Sequence, residues 1–142
     1  METEQKKRVR ATFAPYLRVN ALGPAELIGN RCKACGETYL GKRRVCLKCY
    51  SVDQMEEMTL GKTGELFTYT VVYQSAPWVK VPFVAGVVRL PEGPFVTAVL
   101  EGVEPSSSAL RVGMKLEFLE RVVHHDAEGS EIVAYAYRPA SA

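Results

Sequence analysis

Histidine is scarce in this chain. Its two histidines, His124 and His125, are adjacent, so no catalytic or metal-ligating set can be assembled from imidazoles spread along the sequence. Neighbouring residues on a strand face opposite ways, and His124-His125-Asp126 reads as a solvated turn. No G-x-S-x-G occurs, and no Ser-His-Asp set suggests itself, which argues against serine hydrolase chemistry. Long apolar stretches are missing too. The longest uncharged run, Leu66 to Val79, is broken by Gln74, Ser75 and Pro77 and is too short to cross a bilayer core of roughly 30 Å. The N-terminal METEQKKRVR is basic with no apolar stretch behind it, so neither a secretory signal nor a membrane segment is expected. The default expectation is a cytoplasmic protein. Repeats and low-complexity tracts are absent, and 47% hydrophobic against 24% charged residues suffices to bury a core.

The four cysteines of the chain are confined to one block, RCKACGETYLGKRRVCLKCY, residues 31–50. Cys32-x2-Cys35 and Cys46-x2-Cys49 have the spacing at which two tight turns each aim a pair of thiolates at one ion. Gly36 is placed to take a positive φ in the first turn, and ETYLGKRR is long enough for a short hairpin returning to the second. In a reducing compartment such pairs bind metal more readily than they form disulfides. Zn2+ is the expected occupant, although an iron site has similar spacing. Four thiolates fill a tetrahedral shell and leave no position for water or substrate, so the predicted role is structural.

Charge is unevenly spread. Within residues 31–50, Arg31, Lys33, Lys42, Arg43, Arg44 and Lys48 face the single acid Glu37, whereas the chain as a whole carries only +2. These cations offset the negative charge of a metal–thiolate centre, or they form an anion site. Arg43 and Arg44, between the knuckles, are the candidates for the second role.

Elsewhere the pattern is mainly β. Residues 1–12 read as a frayed tail or a short helix. The segment FAPYLRVNALGPA, 13–25, suggests a short helical turn, since Pro15 and Pro24 exclude a long helix. ELIGNRC then leads into the cysteine block as a short strand. Five further strands are expected at 63–73, 83–90, 95–102, 114–124 and 131–137, with PEGP as a hairpin turn. The longer connection EPSSSALRVG separates the third strand of this set from the fourth. The set suits an OB-fold, a five-stranded Greek-key barrel, ahead of a plain meander. The expected organisation is an N-terminal tail and helical segment (1–25), a zinc ribbon (26–60) and an OB-fold (61–142). Gly61-Lys62-Thr63 imitates the end of a P-loop. Glu56 occupies the position of the required first glycine, and a strand follows where a helix should, so this is a turn. The loop SAPWVKVP, 75–82, carries the single tryptophan, Trp78, beside Lys80. It either presents a ring and a cation to a ligand or partner, or folds the ring back as a cap on the barrel.

Taken in order, LIGNRCKACGETYLGKRRVCLKC, GKTGELFTYTVVY, PFVAGVVRLPEGPFVTAVLEGVEPSSSALRVGMKLEF and a last strand ending in YRP resemble the DUF35 family over about residues 13–139. One departure is KRRVCLKC, which lacks the prolines often found before the third cysteine and between the last two. The resemblance implies a rubredoxin-like zinc ribbon joined to an OB-fold. It also implies a non-catalytic accessory subunit, in a hetero-oligomer with a thiolase-superfamily enzyme. Such complexes make or break carbon–carbon bonds in acyl-CoA esters by thiolytic or aldol-type chemistry, and the reactive residues belong to the partner. The small subunit would shape the CoA site or bridge subunits, with structural Zn2+ of its own and a CoA ester as ligand of the complex. Arg43, Arg44, Trp78 and Lys80 are the candidate contacts to CoA or partner, on charge and aromatic placement. The rival class is a nucleic-acid-binding OB module with a zinc ribbon. Against it, the acids of residues 51–142 outnumber their Lys and Arg, which is wrong for a groove that tracks phosphates.

Overall fold

The computed structural model of the protein describes residues 10–12, 14–19, 24–106 and 108–140, and no helix lies among them. The first part of the chain supplies β1 (Arg10–Ala11), β2 (Leu17–Arg18), β3 (Glu26–Cys32), β4 (Thr38–Leu40) and β5 (Met55–Thr59). β3 is the centre of a small antiparallel sheet, pairing with β5, β4 and β2. In place of the short helical segment expected in 13–25, the described residues make a turn, closed by Leu17 N–H on Ala14 O at 3.1 Å, and then β2. Residues 13 and 20–23 of that segment, and most of the expected tail, lie outside the described residues. The segment between the knuckles is not a hairpin by itself either. Thr38–Leu40 pairs back onto Gly29–Arg31, so the first knuckle is the turn between β3 and β4.

The alternating segments beyond residue 60 form β6 (Thr63–Val72), β7 (Phe83–Arg89), β8 (Phe95–Leu100), β9 (Lys115–His125) and β10 (Glu131–Pro139). β6, β7 and β8 pair antiparallel in sequence order, β10 lies parallel to β8, and β9 pairs antiparallel with both β10 and β6. The ring is therefore closed, with the Greek-key order of an OB-fold. A meander would have no parallel pair. The long connection after β8 exists because the chain must cross the barrel end before β9 can pair with β6.

Side chains fill the barrel. Leu66, Val84, Val88, Val96, Leu100, Leu116, Val133 and Tyr137 form one cluster that continues into the small sheet through Leu17, Ala25, Leu27 and Leu60. At Gly64 the strands come too close for a side chain: an added Cβ would lie 2.3 Å from Val88 Cγ1. A β-bulge at Phe67 breaks the simple alternation of β6. Before it Gly64 and Leu66 are buried; beyond it Tyr69 and Val71 pack on the core while Thr68 and Thr70 are exposed. One extra residue reverses which face points in.

Two barrel carboxylates grip the small sheet. Ala25 N–H donates to Glu120 Oε2 at 2.7 Å and Gly61 N–H to Glu92 Oε1 at 2.7 Å. Tyr16 adds an edge contact to Tyr135 and a hydroxyl–hydroxyl hydrogen bond of 2.8 Å.

Candidate metal centre

Each cysteine pair sits on a turn built by the same backbone hydrogen bonds. Gly36 N–H donates to Cys32 O at 2.8 Å, and Tyr50 N–H to Cys46 O at 2.9 Å. Cys32 N–H in turn donates to Glu37 O at 2.8 Å, and Cys46 N–H to Ser51 O at 3.0 Å. The residue after each second cysteine takes a positive φ, 83° at Gly36 and 61° at Tyr50. Gly36 meets the sequence expectation; Tyr50 was not legible, because glycine is the usual occupant of that conformation. β3 carries Cys32 into the first turn, and an isolated bridge between Val45 and Val52 closes the second.

The turns face each other. Cys32 Sγ is 3.6 Å from Cys49 Sγ, Cys35 Sγ is 3.5 Å from Cys46 Sγ, and all four sulfurs lie within 4.8 Å of one another. These separations are far beyond the ~2.05 Å of a disulfide. A tetrahedral ion with bonds of about 2.3 Å holds its thiolates roughly 3.8 Å apart, so the four residues fit such an ion. Cys32 and Cys46 are buried, Cys35 and Cys49 exposed. Among the described residues no other group of three or more His, Cys, Asp or Glu side chains is placed to hold a metal.

Two hydroxyls missed by sequence reasoning lie beside the thiols of the second turn. Tyr39 Oη lies 3.5 Å from Cys46 Sγ and accepts Leu47 N–H at 3.1 Å. The Tyr39 hydrogen bond holds the Cys46 thiol down at about 6, against the burial that opposes it. Ser51 Oγ, 3.1 Å from Cys49 Sγ, lowers that thiol too. At Cys35 a backbone hydrogen bond from Glu37 acts downward, but burial and the three other thiols outweigh it and push the group up to about 12. The two turns thus differ electrostatically: thiolate is favoured on the second. Tyr39 also carries the Arg43 guanidinium over its ring, 4.6 Å from the centroid.

The cations of the block are less free than their sequence suggests. Arg44 Nε donates to Asp53 Oδ1 at 2.9 Å, and Lys48 Nζ lies 3.5 Å from Glu37. Arg18 pairs with Glu57, and Arg31 stands opposite Glu56 in the β3–β5 register. β5 and the turn before it return acids to the basic block. Arg43 and Lys42 have no acidic partner among the described residues and, with Arg44, line one shallow depression beside Asp53 and Glu57. Trp78 and Lys80 lie apart from that depression, in the loop between β6 and β7. The Trp78 ring is 86% exposed, so it does not cap the barrel. His124 and His125 end β9 in solvent, while Asp126 Oδ1 accepts the N–H groups of Glu128 and Ser130 to close the turn. No helix of the described residues is long and apolar enough to cross a membrane.

Comparison with known proteins matches residues 57–119 to the model of the ChsH2 C-terminal OB-fold domain. A DUF35 domain-containing scaffold protein of Methanocaldococcus jannaschii is 31% identical over 114 residues, 79% of each chain. The benzoylsuccinyl-CoA thiolase subunit BbsA of Thauera aromatica is 27% identical over 125 residues, covering 88% of this chain and 77% of BbsA. Among solved structures, the Ltp2-ChsH2(DUF35) aldolase aligns with a TM-score of 0.64 at 24% identity, over 82% of this chain and 86% of that one. That likeness speaks to the fold.

Proposed function

The chain belongs to the DUF35 family, and on that premise we propose that it is a non-catalytic accessory subunit of a thiolase-type complex acting on acyl-CoA esters. The observation that carries this reading is its similarity, over 79% to 88% of the chain, to a scaffold protein of the family and to a benzoylsuccinyl-CoA thiolase subunit. The site chemistry agrees. The cysteine centre offers four ligands and no open position, which suits Zn2+ held structurally by Cys32, Cys35, Cys46 and Cys49. Bound there, the ion supplies a cross-link between the two turns. The nucleophile and base belong to the partner, which makes or breaks the carbon–carbon bond. This subunit shapes the CoA site or bridges subunits, with Arg43 and Arg44 on the ribbon and Trp78 and Lys80 on the barrel loop as contacts to CoA phosphates or to the partner.

The test is affinity purification of the tagged full-length chain from its host, followed by a CoA-dependent cleavage assay with and without it. Co-purification of a thiolase-superfamily subunit whose turnover depends on this chain is the expected result. Recovery of the chain alone, with no effect on any thiolase, overturns the reading.

A further inference from the structure

The two cysteine turns share a backbone and differ in what they display. Both need a left-handed residue after the second cysteine, and the first turn meets that need with Gly36. A residue with a Cβ is disfavoured in this conformation. The second turn nevertheless carries Tyr50, at φ 61°. The side chain is 75% exposed, and neither its ring nor its hydroxyl makes an aromatic contact or a hydrogen bond among the described residues. Strain held without an internal return points to a return from outside.

The surroundings of Tyr50 have the same character. Leu47, Val52 and Val45 are 60%, 50% and 39% exposed, whereas the first turn places only Lys33 and Ala34 between its cysteines. Lys42, Arg43 and Arg44 precede this turn and Lys48 lies within it, against Glu37 and Asp53 as acidic partners, which leaves its neighbourhood positive. An exposed tyrosine on a turn that also displays three aliphatic side chains, with charged groups beside it, has the anatomy of a protein contact. These charges set the sign of the partner surface. A nucleic acid fits less well, because Arg44 and Lys48 already have acidic partners and the aliphatic side chains find nothing to pack on along a phosphate backbone.

We propose that the second cysteine turn is a docking tip: Tyr50, with the exposed Val45, Leu47 and Val52 of the same turn, enters an apolar, acid-rimmed socket on the thiolase-superfamily subunit. This rests on the accessory-subunit reading and names the surface that makes the contact.

The test uses full-length wild type, Tyr50→Gly, Tyr50→Phe and Leu47→Ser, with the thiolase-superfamily subunit that co-purifies with the wild type as probe. Metal content, thermal midpoint and Kd at low and high salt are measured for each. Tyr50→Gly is expected to keep its metal, to melt no lower than wild type, and to bind about tenfold or more weakly, the size of a contact hot spot. Tyr50→Phe should keep most of the affinity, Leu47→Ser should lose part of it, and salt should weaken wild-type binding. Equal affinity of wild type, Tyr50→Gly and Leu47→Ser overturns the docking tip and leaves the accessory-subunit reading standing. A wild-type chain that binds no thiolase-superfamily subunit overturns both. Loss of metal or of thermal midpoint in Tyr50→Gly makes Tyr50 a structural residue and overturns the proposal. Tyr50-dependent binding of a single-stranded oligouridylate overturns it in favour of nucleic acid.

Discussion

Glu92, in the turn between β7 and β8, accepts the N–H of Gly61 through Oε1 at 2.7 Å. The barrel thereby holds the chain at the point where it leaves the small sheet, as Glu120 holds Ala25 near the point of entry. The other oxygen, Oε2, is buried with no hydrogen-bond partner among the described residues, as is the hydroxyl of Tyr137. Burial, and then the Glu92 charge, push the Tyr137 phenol above its ordinary range. Glu92→Ala should cost about 1–3 kcal/mol, the loss of a charged hydrogen bond that leaves an amide unpaired. Glu92→Gln keeps an acceptor for Gly61 and removes the charge, so it should cost less. Urea denaturation of both variants, with hydrogen exchange at residues 60–62, checks this. Equal stability of wild type and Glu92→Ala would sink it.

Cys46→Ser removes one of the two buried ligands. Metal content should fall from about one ion per chain toward zero, because a structural site does not tolerate an incomplete shell. The small sheet should unfold, and since Leu27 and Leu60 belong to the same cluster as the barrel interior, the barrel should lose stability with it. Elemental analysis and circular dichroism report the two effects. A folded, partner-binding variant without metal would show that the centre is not structural.

Tyr39→Phe deletes the hydroxyl beside Cys46. That hydroxyl makes the largest of several hydrogen-bond contributions that lower the thiol to about 6, from an ordinary 9.0. A depressed thiol favours the thiolate above its ordinary value and gives up that advantage as pH falls through about 6. Acid should therefore release the metal as Cys46 protonates, and in Tyr39→Phe the release should come at higher pH. At neutral pH the variant should bind metal about tenfold more weakly, as expected for loss of a ligand's hydrogen-bond partner. Chelator competition across a pH series measures both, and superimposable wild-type and variant curves would contradict the prediction.

Gly64→Ala should force β6 away from β7. The new Cβ meets Val88 Cγ1 at 2.3 Å and Arg89 O at 3.2 Å, and Val88 is fully buried. Overpacking of this kind costs about 1–3 kcal/mol. Adding Val88→Ala opens room for the methyl group, so the double variant should be more stable than the sum of the two single losses predicts. Strict additivity in chemical denaturation would show that the two sites do not touch.

Trp78→Ala should leave folding almost unchanged, within about 0.5 kcal/mol, because the ring buries little against the chain. The same variant should weaken binding of the thiolase-superfamily partner if the β6–β7 loop is a contact. Thermal melts paired with the affinity measurement separate the two roles. A strongly destabilised variant would mean that the ring packs on the barrel in solution.

Where spacing alone constrains geometry, the reading from residues was sufficient. Two Cys-x2-Cys pairs, a glycine after the first, and a turn-bounded series of alternating segments identify the cysteine centre and the barrel strands, because each signal spans only a few bonds of backbone. The face that each β6 residue presents is not set by local alternation. The bulge at Phe67 depends on how β6 meets β7, and from that residue onward Tyr69 and Val71 point in. Tyr39 escaped notice for a related reason: its hydroxyl reaches Cys46 only after β4 has folded back on β3.

The sequence by itself determined the paired cysteines, the five barrel strands and the excess of cations between the knuckles. Tertiary structure decided what those features amount to. Closure of the barrel required β10 to lie parallel to β8, a pairing between segments distant in the chain and invisible to local periodicity. The approach of β5 and its preceding turn brought Asp53, Glu56 and Glu57 beside the basic block and reduced its free charge. Matching hydrogen bonds in the two cysteine turns then exposed the difference between Gly36 and Tyr50. Strand order, charge partnering and conformational strain all depend on contacts between remote residues, and folding alone brings such residues together.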